Sequence, residues 1–155
     1  MADHEVSKAS SVMETLCNQA GDNFLFCIHC LEKTGHEDMN ELGSDTISCA
    51  QRSVSIARKS LQDLAKNSSG VLRDAAEYCL PRLDEAASDF KTALSYWKYL
   101  HKKETLEYVN YGGDDYYKCT WRLPNNETSP ELNRQLNCIR GRYEVILSVI
   151  KSIPV

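Results

Sequence analysis

Residues 72–100, LRDAAEYCLPRLDEAASDFKTALSYWKYL, decide the fold. Within them Leu72, Ala76, Cys79, Leu83, Ala86, Phe90, Ala93, Trp97 and Leu100 recur at alternating steps of four and three, which places them on one face of a long α-helix. Pro81 interrupts the stretch, removing one amide donor at an interior cost of about 3 kcal/mol. The apolar phase carries through the proline, so the pattern predicts a kinked or restarted helix on a single axis, not a chain reversal.

The same period extends outward on both sides. Upstream, Ile47, Ala50, Val54, Ala57, Leu61 and Leu64 form a second stripe that stops at the turn residues Asn67-Ser68-Ser69-Gly70. Before it, Lys33–Gly43 has two glycines and three acids and reads as a loop. Earlier still, Val6, Ala9, Met13, Leu16 and Ala20 mark one helical face. Gly21-Asp22 breaks it, and Asp22 is placed to cap a short helix carrying Phe24, Ile28 and Leu31. Downstream, Leu106, Val109, Gly113 and Tyr116 continue weakly, with Gly112-Gly113 expected to loosen the segment. After a loop over Leu123–Thr128, Ser129-Pro130-Glu131 is a helix start with Ser at the N-cap and Pro at N1. Leu132, Leu136, Ile139, Tyr143, Ile146 and Ile150 then form the last stripe. No alternating strand pattern competes. The predicted fold is all-α: an antiparallel four-helix bundle with an N-terminal helical hairpin extension. It is read as one domain over 1–155, with the hairpin and loop in 1–43 and the bundle in 44–155.

Composition agrees with this reading. Of 155 residues 42% are hydrophobic, enough for one buried core. The longest apolar runs are a few residues, so no membrane span is expected. A formal charge of −4 argues against nucleic acid as a partner. The charge is uneven: residues 1–48 carry nine acids and two bases, and the remainder is net positive by three. The bland reading of the acidic stretch is a solvated face; the sharper one is that it packs on or steers toward something basic.

Seven cysteines, at 17, 27, 30, 49, 79, 119 and 138, are many for this length. Cys79-x3-Leu83-x2-Ala86-Ala87-x2-Phe90-x2-Ala93 is followed forty residues after Cys79 by Cys119. An early pair, Cys17 and Cys27, lies in a helical hairpin, and the aliphatic final helix carries Cys138. In this framework the chain resembles the plant invertase and pectin methylesterase inhibitor-like proteins, from about Cys17 to Ile153. The resemblance implies a secreted, disulfide-stapled, non-catalytic bundle that plugs the cleft of a cell-wall carbohydrate enzyme. It implies bonds Cys17–Cys27, within the hairpin, and Cys79–Cys119, between antiparallel neighbours. Cys30, Cys49 and Cys138 remain, so at least one thiol is unpaired or intermolecular; Cys30–Cys49 is left open.

The resemblance also suggests where a partner would dock: near the second bond, at Glu85, Lys118, Thr120 and Trp121, and at Lys102 and Lys103 in the loop where invertase inhibitors carry a Pro-Lys-Phe element. After Cys119 the chain reads Thr120-Trp121, where pectin methylesterase inhibitors carry acids. Invertase, cell-wall or vacuolar, and pectin methylesterase therefore both stand as expected targets. Residues 1–16 lack the apolar core of a signal peptide, and the chain is read as a mature apoplastic form with an added Met1. Asn67 and Asn126 open N-x-S/T sequons, which fit passage through a secretory route.

Cys27-Ile28-His29-Cys30 has the spacing of a redox or metal pair. Leu31 stands where a c-type haem motif needs His, and only His4, His36 and Cys49 are available as further ligands. No metal and no cofactor are expected. There is no G-x-S-x-G, no phosphate-binding glycine loop and no H-E-x-x-H. Asp84, Glu85 and Asp89 could supply paired carboxylates, but their spacing reads as a polar helix face. An inhibitor is expected rather than an enzyme. Eight of thirteen aromatic residues fall within 96–121: Tyr96, Trp97, Tyr99, Tyr108, Tyr111, Tyr116, Tyr117 and Trp121. Trp97 and Tyr116 lie on apolar stripes; the rest could pack the hairpin, form a protein-binding surface, or line a pocket for a small aromatic-stacking ligand with Gly112-Gly113 making room. The alternative function is thus a bundle that binds or transforms a small molecule at 96–121.

Overall fold

The computed structural model describes residues 12–32, 38–124 and 126–155; Val6 and Ala9 of the first stripe, His4, His36 and part of the predicted Lys33–Gly43 loop lie outside them. Residues 12–18 are helical (α1) and are followed by a 3-10 turn at Gly21–Asn23 and by α2, Phe24–Leu31. Gly21 makes the turn with φ +55°, where a side chain would be strained. The predicted cap does not form: Asn23, not Asp22, precedes α2, and its amide donates to Glu144 at 2.6 Å.

α3 runs from Met39 to Asn67, beginning before the predicted Ser44. The Asp38 carboxylate accepts from the Asn40 amide at 2.8 Å, an N-cap that the loop reading overlooked. Gly43 lies inside this helix because the Trp97 ring covers it; a Cβ there would sit 2.6 Å from Trp97 Nε1. That indole nitrogen donates to the Asn40 carbonyl at 2.8 Å, so Trp97, 1% exposed, is buried with its polar tip satisfied.

α4, Gly70–Lys98, is one helix containing Pro81, with no restart. Pro81 is exposed while Cys79, Leu83, Ala86, Phe90 and Ala93 are fully buried. A three-residue turn holding Leu100 at φ +59° leads to α5, Lys102–Arg122. The expected loosening at Gly112-Gly113 does not occur. Both glycines are buried, Gly112 against the Phe90 ring and Gly113 against the Tyr143 ring. They let neighbouring helices approach closely, and rings already fill the space they were expected to leave for a ligand. α6, Pro130–Ser152, starts as predicted, with Ser129 Oγ accepting from the Leu132 amide at 3.1 Å.

α3, α4, α5 and α6 pack in a ring, each against the next, and α2 lies across α3 and α6. Their apolar stripes meet in one core with Phe90 and Trp97 as its largest fully buried side chains, each such burial contributing about 1.5–3 kcal/mol or more. The fold is all-α, an antiparallel four-helix bundle with the helical hairpin on one flank. Cys17–Cys27 staples the hairpin, Cys30–Cys49 fastens it to α3, and Cys79–Cys119 joins α4 to α5. The last encloses 40 residues, a span for which chain entropy gives about 4 kcal/mol. Cys27 and Cys30 are thus in separate bridges, and Cys138 is a half-buried thiol. No helix among the described residues is long and apolar enough to cross a membrane.

Candidate functional site

α5 has a groove on each side. Toward α4, Glu85, Ser88, Asp89, Tyr111, Asp114, Asp115 and Lys118 line a cavity of about 430 Å³. Asp115 is on the inner side of α5 and 7% exposed; its carboxyl shares hydrogen bonds with Asp89 and Glu85. Burial pushes Asp115 and Asp89 above the usual carboxylate range. The repulsion between their charges adds to this for Asp115, so the pair holds a proton to a higher pH than an isolated carboxyl would. Glu85 also accepts from Arg82 at 3.1 Å, and Asp84 pairs with Arg58 of α3.

Toward α6, a cavity of about 460 Å³ is lined by Tyr116, Tyr117, Thr120, Trp121, Asn133, Leu136, Asn137 and Arg140. Trp121 stands at its edge, 89% exposed. Tyr117 is held edge-on by Tyr116, with centroids 5.1 Å apart, and by Tyr143 at 6.4 Å. Burial pushes the Tyr116 hydroxyl up to about 12, and the Tyr143 hydroxyl donates to Asn110 at 3.0 Å. Next to Trp121, the Arg122 guanidinium lies 4.4 Å from the Tyr78 ring centroid, and Arg82 covers the same ring at 5.4 Å. These cation–π contacts fix the end of α5 on α4 beside the Cys79–Cys119 bridge.

The opposite end of α5 is built differently. Lys102 is in its first turn, and its ammonium donates to the carbonyls of Lys151 at 2.9 Å and Ile153 at 2.8 Å. It therefore closes the C-terminus of α6. Lys103 beside it is exposed.

No protein-family model matches the chain, and no curated protein matches it in sequence. Solved structures do match it in shape. A mutant form A of a pectin methylesterase inhibitor from Arabidopsis superposes with a TM-score of 0.79 at 16% identity, over 92% of this chain and 97% of that one. A pectin methylesterase inhibitor from Arabidopsis thaliana gives 0.69 at 17% identity, over 94% and 98%. The fold is that of a pectin methylesterase inhibitor.

On this inhibitor fold the residues singled out from sequence fall into three places. Glu85 and Lys118 share the α4–α5 groove, and Thr120 and Trp121 share the α5–α6 groove. Lys102 and Lys103 are elsewhere, since about 28 Å of helix separates Lys102 from Trp121. Asn67 ends α3 and Asn126 lies in the α5–α6 turn, both exposed. Of the aromatic residues, Tyr96 and Tyr108 stack at 5.5 Å and pack the α4–α5 hairpin, with Tyr111 edge-on to Tyr108 at 5.4 Å. The sequence reading missed Asp115, and it missed Asn133, Asn137 and Arg140. The latter three recur at steps of four and three on α6, a polar stripe that could have been found by the same period that revealed the core.

Proposed function

We propose that this chain is a secreted, non-catalytic inhibitor that docks on a plant cell-wall carbohydrate enzyme, a pectin methylesterase or an invertase, through the face around Cys79–Cys119. The observation that carries the reading is Trp121: a large apolar ring left almost wholly in solvent, next to a disulfide-braced helix end, on an inhibitor fold. Such rings serve as interface anchors. Lys118 and Arg122 flank it with positive charge, suited to an enzyme cleft that holds carboxylates. Glu85 and Thr120 complete the proposed contact. Lys103 stays available for contact at the far end, whereas Lys102 is occupied by the α6 terminus. Three disulfides support an oxidising compartment, which fits an apoplastic location and use of the sequons at Asn67 and Asn126.

The test is inhibition of purified pectin methylesterase and invertase at mildly acidic pH. Wild-type protein should inhibit one of them, and Trp121→Ala should weaken inhibition at least tenfold, about 1.4 kcal/mol, with an unchanged helical circular dichroism spectrum. A wild-type protein that inhibits neither enzyme overturns the proposal, and undiminished inhibition by the variant places the contact elsewhere.

A further inference from the structure

The α5–α6 groove has a chemistry that protein docking does not require. One wall, from α5, presents Tyr117, Thr120 and Trp121; the other, from α6, presents Asn133, Asn137 and Arg140. Arg140 is the one charged side chain among the residues lining it. The wall from Asn133 to Arg140 rises about 10 Å along the helix, and the volume of about 460 Å³ lies in the range of small-ligand sites.

We propose that this groove binds a carboxylated sugar, a short uronate oligosaccharide. Aromatic rings offer flat apolar surface for the C–H face of a pyranose while leaving its rim in water. The Asn137 amide can both donate and accept, as ring hydroxyls demand, and the Thr120 hydroxyl, which donates to the Tyr117 carbonyl at 3.2 Å, can accept. A guanidinium pairs with a planar carboxylate through two parallel hydrogen bonds. The Tyr117 ring is set in place by its edge contacts with Tyr116 and Tyr143, and the Asn133 side-chain oxygen by the Thr128 hydroxyl that donates to it. Tyr117 and Asn133 are therefore set in place before any ligand arrives. This binding is separate from enzyme inhibition, although both involve Trp121.

The test is a titration of the full chain, without any enzyme, with trigalacturonate, maltotriose and benzoate. Trp97 is buried, so a change in intrinsic fluorescence reports on Trp121, and calorimetry measures the affinity independently. Trigalacturonate should give a saturable signal. Arg140→Gln should weaken its binding at least tenfold and Arg140→Lys by less, while maltotriose should bind weakly and equally to wild type and Arg140→Gln. Absence of saturable trigalacturonate binding overturns the proposal, as does equal binding by Arg140→Gln. Tighter binding of benzoate than of the trisaccharide also overturns it, in favour of an aromatic acid. Since no enzyme is present, failed inhibition with retained sugar binding removes only the inhibitor reading, and the reverse removes only this one.

Discussion

Lys102 and Asp115 show how far the surroundings decide what a charged side chain does. From sequence Lys102 and Lys103 are equivalent, yet only Lys102 reaches the Lys151 and Ile153 carbonyls. Lys102→Met should therefore lower stability by about 1–2 kcal/mol, whereas Lys103→Met should stay within about 0.5 kcal/mol of wild type; urea unfolding of the two variants measures the difference. Asp115 acts with the opposite sign. Burial raises the folded-state values of Asp115 and Asp89 above those of the unfolded chain, so the native state binds more protons between the two. Their contribution is fully present below the ordinary carboxylate range and is lost as pH rises through the raised values. Asp115→Asn, which stays neutral, should flatten that decline and raise the melting temperature at pH 7 by a few degrees. Thermal unfolding across pH 3–8 would show no change in slope if the pair were ordinary surface acids. Neither role was legible in the sequence, because each depends on a partner in another helix.

At the scale of the helix, legibility followed the regularity of the apolar stripe. α4 was readable across Pro81 because eight successive steps kept phase, and the proline fell on the solvent side. α6 was readable from its cap and from Pro130. The start of α3 was not, since Gly43 and neighbouring acids look like loop; what holds the helix there is the Trp97 ring, distant in sequence. α5 was underrated for a related reason. Gly112 and Gly113 lower intrinsic helix propensity, but they are where α5 meets Phe90 and Tyr143. Gly112→Ala distinguishes the two views by its sign. Propensity alone promises a gain of about 1 kcal/mol, whereas a Cβ 2.6 Å from Phe90 should cost about 1–3 kcal/mol through overpacking. Chemical denaturation is expected to show the loss.

For the whole molecule, the bundle and its hairpin were visible in the sequence, while the assembly of the site was not. Period and phase give a helix its inner face; they do not say which outer faces of α4, α5 and α6 become neighbours. Hence Glu85, Lys118, Thr120 and Trp121 were found as separate residues near one cysteine, whereas the two grooves on either side of α5 emerge only from the packed helices. The Cys79–Cys119 bridge has a consequence for chain integrity. The turn between α4 and α5 exposes Tyr99 and Leu100, making it a place for a protease to cut after a brief local opening. A molecule nicked there still has its two fragments joined through sulfur. It should run as one band on a non-reducing gel and as two after reduction, and it should keep its groove-lined face because both sides of the cut remain tethered beside it. The sulfur bridge can thus take over covalent continuity from the backbone at this exposed turn.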